Sequence, residues 1–137
     1  MFIEYNPNPV QSYREDDCGI RAVAKALDTD WESAFIRLAF MAFSMGSTMN
    51  RNTVIGAVLR QNGFKRAYPP NECPDCINVA DFASVNPQGV FVVFSQGHVA
   101  VVCDGDLYDS WNSENEGIIF VWYKDDEPVF DEEKEEE

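Results

Sequence analysis

The stretch Val90–Trp111, "VFVVFSQGHVAVVCDGDLYDSW", decides the architecture of this chain. Val90–Phe94 is an unbroken β-branched and aromatic run, which predicts a buried strand. His98–Cys103 predicts a second strand, and Asp104-Gly105 is a strong hairpin signal because both residue types tolerate positive φ. "DLYDSW" returns as a third strand, and "GIIFVWY", Gly117–Tyr123, adds a fourth.

Upstream the period is helical. From Cys18, the apolar residues Ile20, Val23, Ala24 and Leu27 recur at helix spacing, with Asp17 at the expected N-cap. "DTDWESAFIRLAFMAF" starts a second helix capped by Asp30, with Trp31, Phe35, Leu38 and Ala42 as its inner stripe. A third covers about Asn52 to Gln61, with Val54, Ala57 and Val58 inward and Gly63 suited to the left-handed closing position. Three prolines keep "AYPPNECPDC" out of helix and central strand, and Asn78 with Asp81 marks the start of a short helix, "VADFASV". Helices first and antiparallel strands second predict an α+β fold with a sheet of about four strands.

The chain has 137 residues and is 45% hydrophobic, enough for one domain with one core. Its net charge of −14 argues against nucleic-acid binding, since phosphates require cationic partners. Nine acids and one lysine fall between Asp125 and Glu137. The expected organisation is therefore a domain over residues 1–124 and an acidic, disordered tail over 125–137. No apolar run approaches the length of a membrane span, and Met1 is followed by no basic start or apolar core of a secretion signal. With four cysteines, that predicts a cytoplasmic protein holding free thiols.

A thiol at a helix N-terminus meets backbone N–H groups without intrahelical partners and the positive end of the helix dipole, both of which favour thiolate. Cys18 occupies that place. The single histidine, His98, opens a strand directly after a glycine, and the hairpin that follows brings Asp109 back toward it. Cys18, His98 and Asp109 thus have the types and order of a thiol triad: a nucleophile, a base, and a carboxylate that fixes the imidazole tautomer. Asp16 and Asp17 oppose activation by placing negative charge near the thiol. Trp111 follows Asp109 closely enough to cover the triad or fill the core, and Cys103 alternates with its strand neighbours as a packing residue.

"DDCGIRAVAKAL" followed by "GHVAVVCDGDLYDSW" resembles the papain-like cysteine peptidases, in the style of the small bacterial and phage branch that includes bacteriocin-processing peptidase domains. The resemblance spans about Gln11 to Tyr123. It implies a papain-like fold, with Cys18 as nucleophile, His98 as general base and acid, and Asp109 as orienter. It also implies Gln11 as an oxyanion-hole residue, although Gln11 stands seven positions before Cys18 where these relatives place it six before. The implied activity is hydrolysis of a peptide or isopeptide bond through a thioester, with a protein or peptide substrate and no cofactor. Acyl transfer to an amine uses the same residues. The alternative class is an inactive papain-like binding or inhibitory module whose acidic surface engages a basic protein. The sequence carries no signal for oligomeric state.

Cys73 and Cys76, in "CPDC", stand apart from this constellation. They read as loop thiols that oxidise opportunistically, as half of a zinc site lacking a second paired knuckle, or as a redox pair outside its usual strand-to-helix context.

Overall fold

The structure, a computed structural model, describes residues 1–10 and 16–130. In chain order the elements are β1 (Phe2–Glu4), α1 (Cys18–Ala26), α2 (Trp31–Met45), α3 (Asn52–Gln61), β2 (Lys65–Ala67), α4 (Val79–Val85), β3 (Val90–Ser95), β4 (His98–Cys103), β5 (Asp106–Asp109) and β6 (Phe120–Tyr123). The fold is α+β, as the change of period predicts.

The sheet differs from the expectation of about four antiparallel strands. Among the described residues it has six, ordered β1-β5-β4-β3-β6-β2, and it is mixed because β1 runs parallel to β5. The four predicted strands form its middle, while β1 and β2 are three-residue borders too short to show a period. The fourth strand is also shorter than "GIIFVWY": Gly117 makes only an isolated bridge to Asn78, and regular pairing begins at Phe120.

Both faces of the sheet are covered, which is why β3 and β4 read as continuous apolar runs. Val92, Phe94, Val99, Val101 and Trp122 join the core formed with α1, α2 and α3. Phe91, Val93, Ala100, Val102, Leu107 and Val121 join a second core with α4. Alternate residues of one strand thus enter different cores, as a pleat requires. Burying each of the larger side chains stabilises the fold by about 1.5–3 kcal/mol.

The helices follow their local chemistry. Asp30 Oδ1 accepts from Ser33 N–H at 2.7 Å to cap α2, which ends at Gly46 with φ 66°. Asn78 caps α4 in the same way, accepting from Asp81 N–H at 2.8 Å. The stripe of α2 is Ala34, Leu38 and Ala42 rather than one that includes Phe35, which is 38% exposed and faces a hollow beside α1. On α3, Ile55 and Leu59 are buried with Val54 and Val58, while Ala57 is half-buried.

Asp104 (φ 51°) and Gly105 (φ 83°) both take the left-handed backbone the hairpin demands. Pairing of Val101 with Tyr108 and Cys103 with Asp106 then brings the end of β5 beside the start of β4.

The domain does not end at residue 124. Val129 N–H donates to Asn86 Oδ1 at 2.8 Å, Asn86 Nδ2 donates to Val129 O at 2.7 Å, and Phe130 packs on Phe82 with ring centroids 5.6 Å apart. An apolar residue following the acids Asp125–Glu127 thus holds the chain against α4. The rest of the acidic tail, 131–137, lies outside the described residues, as does Gln11.

Candidate active site

Cys18 is the first residue of α1, His98 the first of β4 and Asp109 the last of β5. The structure brings these three predicted residues together. His98 Nε2 stands 2.6 Å from Asp109 Oδ2. Cys18 and His98 line one cleft, close enough for each to shift the titration of the other. One imidazole nitrogen is held by a carboxylate, the arrangement that fixes tautomer and ring orientation.

The electrostatics follow from these contacts. Burial pushes the Cys18 thiol up, but the hydrogen bonds from the His98 side chain and the Val99 backbone, with the charges of His98 and Arg21, outweigh it, so its pKa is lowered. Burial pushes His98 down, but its hydrogen bonds to Asp109 and Cys18 and their charges raise it to about 9. Cys103, the other free thiol among the described residues, moves the opposite way to Cys18: burial and the charge of Asp104 raise its pKa.

Asp17 occupies the N-cap position of α1, yet its carboxylate makes no capping bond. It is turned into the protein, 5% exposed, where it pairs with Arg21 Nη1 and accepts from Asn8 Nδ2 and Trp31 Nε1, each at 3.0 Å. Of the two acids expected to oppose the thiolate, Asp17 is therefore matched by a guanidinium, while Asp16 is exposed and lines the same cleft as Cys18. Arg21 Nη2 in turn lies 3.6 Å from Asp109 Oδ1. A buried chain of polar groups runs from Asp17 through Arg21 and Asp109 to His98 and the thiol.

Asp109 is 3% exposed and well provided with donors: besides His98, it accepts from Ser113 Oγ at 2.6 Å and Ser110 N–H at 2.7 Å. Sequence reasoning missed Arg21 and Ser113. Arg21 had one available signal, since an arginine one turn after Asp17 on the apolar side of an amphipathic helix requires a buried partner. Trp111 covers His98, with ring centroids 4.7 Å apart, and is itself 39% exposed.

A cleft of about 300 Å³ opens over the thiol, lined by Cys18, Gly19, Asn52, Ile55 and His98. It shares Asp16, Gly19 and Asn50 with a larger hollow of about 810 Å³, whose apolar walls include Ile20, Trp31, Phe35 and Met49.

Cys73 and Cys76 are bonded to each other, so the expectation of four free thiols fails and these sulfurs are not thiolate ligands for zinc. The cause is proximity, since the loop holds their Cα atoms 4.4 Å apart, within disulfide range. Among the described residues no group of three or more His, Cys, Asp or Glu side chains is placed to hold a metal ion, and no helix is long and apolar enough to cross a membrane.

No protein-family model matches the chain, nor does any curated protein or solved structure.

Proposed function

We propose that the protein is a papain-like thiol hydrolase that cleaves a peptide or isopeptide bond through Cys18, His98 and Asp109. The observation that carries this reading is one imidazole held at 2.6 Å by a buried carboxylate and sharing a cleft with a helix-N-terminal thiol of lowered pKa. A structural histidine has no need of both partners.

In the proposed reaction His98 holds the proton of Cys18, and the thiolate attacks the substrate carbonyl. The Cys18 N–H, at the open end of α1, stabilises the oxyanion. His98 then gives the proton to the departing amine, leaving a thioester on Cys18. The same imidazole next takes a proton from water, which attacks the thioester and releases the acid. Asp109 keeps Nε2 engaged throughout. The acidic surface favours neutral or basic substrates, and the apolar hollow beside the thiol suits a large apolar side chain.

Competition between the free thiols tests the proposal. Limiting iodoacetamide at pH 6 is expected to label Cys18 well ahead of Cys103, and His98→Ala is expected to abolish the preference. Equal labelling of the two, each rising only near the ordinary thiol pKa of about 8.5, would refute the activated nucleophile and leave the binding module in its place.

A further inference from the structure

Cys73 and Cys76 bear chemistry that the hydrolase reading leaves unused. Their disulfide lies in the loop between β2 and α4, and its setting is unlike that of a structural staple. It spans a sequence separation of only three, whereas the entropy a cross-link removes from the unfolded chain grows with loop length. Its surroundings are already tied: Val79 N–H donates to Glu116 O at 3.0 Å, Ala80 N–H to Glu114 O at 2.9 Å and Ile118 N–H to Ile77 O at 2.9 Å. Buried Val79 and Phe82 seat the adjoining helix α4. The bond also sits at the surface, with Cys73 exposed and Cys76 half-buried.

Cys73 and Cys76 line an open cleft of about 390 Å³ whose other walls include Asn78, Gln96, Asn115, Gly117 and Ile119. The side-chain amides of Gln96 and Asn115 offer donors and acceptors for the main chain of a peptide, and Asn78, whose Oδ1 caps α4, adds its Nδ2 donor. Gly117 gives the sulfurs their room, because a Cβ there would stand 2.5 Å from Cys76 Sγ and 3.0 Å from Cys73 Sγ.

We propose that Cys73 and Cys76 form a thiol–disulfide exchange site, separate from Cys18, whose substrate is a disulfide-bearing peptide or protein entering this cleft. In the dithiol form, the exposed Cys73 as thiolate attacks one sulfur of the substrate disulfide. The substrate bond breaks, a mixed disulfide forms, and the first substrate thiolate leaves and takes up a proton. Cys76, deprotonated, then attacks Cys73 Sγ and expels the second substrate thiol. The substrate disulfide is reduced to two thiols, and the Cys73–Cys76 dithiol is oxidised to the disulfide of this structure. Two equivalents of a small external thiol, or one dithiol protein, return the pair to the dithiol and are themselves oxidised to a disulfide.

The test uses the full chain carrying Cys18→Ser, so its outcome is independent of the hydrolase. Dithiothreitol followed by alkylation and mass mapping is expected to modify Cys73 and Cys76 with the far-UV circular dichroism unchanged. Added Cys76→Ser is expected to trap a mixed disulfide on Cys73 with a cystine-bridged peptide. Its yield should be about tenfold that of Cys73→Ser on Cys76, and the peptide should react faster than oxidised glutathione at equal concentration. Sulfurs that resist reduction until urea unfolds the chain, equal trapping by the two variants, or a peptide no faster than glutathione would each overturn the proposal.

Discussion

Arg21 Nη2 lies 3.6 Å from Asp109 Oδ1, and the other end of the same guanidinium pairs with Asp17. One buried cation thus serves both the carboxylate behind the imidazole and the carboxylate at the start of the nucleophile's helix. Replacing it leaves Asp17 without a counter-charge in a low dielectric and Asp109 with His98 as its remaining cation. Arg21→Leu is expected to cost about 3–5 kcal/mol of stability, read from the shift in urea midpoint. Adding Asp17→Asn should recover part of that loss, because the uncompensated charge is then gone; a strictly additive double variant would show that the two side chains are not coupled.

The stability of the protein should fall in alkali through His98. A histidine whose pKa in the fold exceeds its unfolded value stabilises the fold while protonated. With His98 raised from 6.5 to about 9, its contribution is whole below pH 6.5 and lost as pH passes through about 9. Urea titrations from pH 6 to 10 should show this decline in the parent and a flatter profile in His98→Gln. Parallel profiles would show that His98 is not the titrating group.

Ser113 Oγ donates to Asp109 Oδ2, the oxygen that also faces the imidazole. Ser113→Ala removes a hydrogen bond to a buried charged group and is expected to cost about 1.5–3 kcal/mol in chemical denaturation. It should also weaken the hold of Asp109 on His98, so the selective labelling of Cys18 at pH 6 should diminish without vanishing.

The close approach of α3 to the sheet rests on a missing side chain. A Cβ on Gly56 would stand 2.7 Å from Trp122 Cζ2, and Trp122 is 2% exposed. Gly56→Ala is therefore expected to destabilise by about 1–3 kcal/mol through overpacking, despite alanine's better helix propensity. Thermal melts check this; an unchanged or raised midpoint would mean that the indole moves aside freely.

The parts legible in the sequence are those with a period or a local rule. The runs of β3 and β4, the Asp104-Gly105 turn and the caps at Asp30 and Asn78 each declare themselves within a few residues, and the order of thiol, imidazole and carboxylate reads directly along the chain. Contacts that depend on distant chain segments do not. β1 and β2 exist as strands because β5 and β6 offer them partners, and nothing within three residues shows that. Asp17 looks like a cap by position, but Arg21 and Trp31 take its carboxylate inward, so tertiary pairing overrides a local preference. Ser113 is one serine among turn residues until the loop after β5 folds it back on Asp109.

The two borders of the sheet have a consequence for association. Each is three residues long, and the outer one beyond β6 carries the exposed cations Lys65 and Arg66. So few free peptide groups, guarded on one side by positive charge, make a poor template for a neighbouring molecule's strand. Fibre growth by strand addition along the sheet therefore has little purchase on either side of the folded domain.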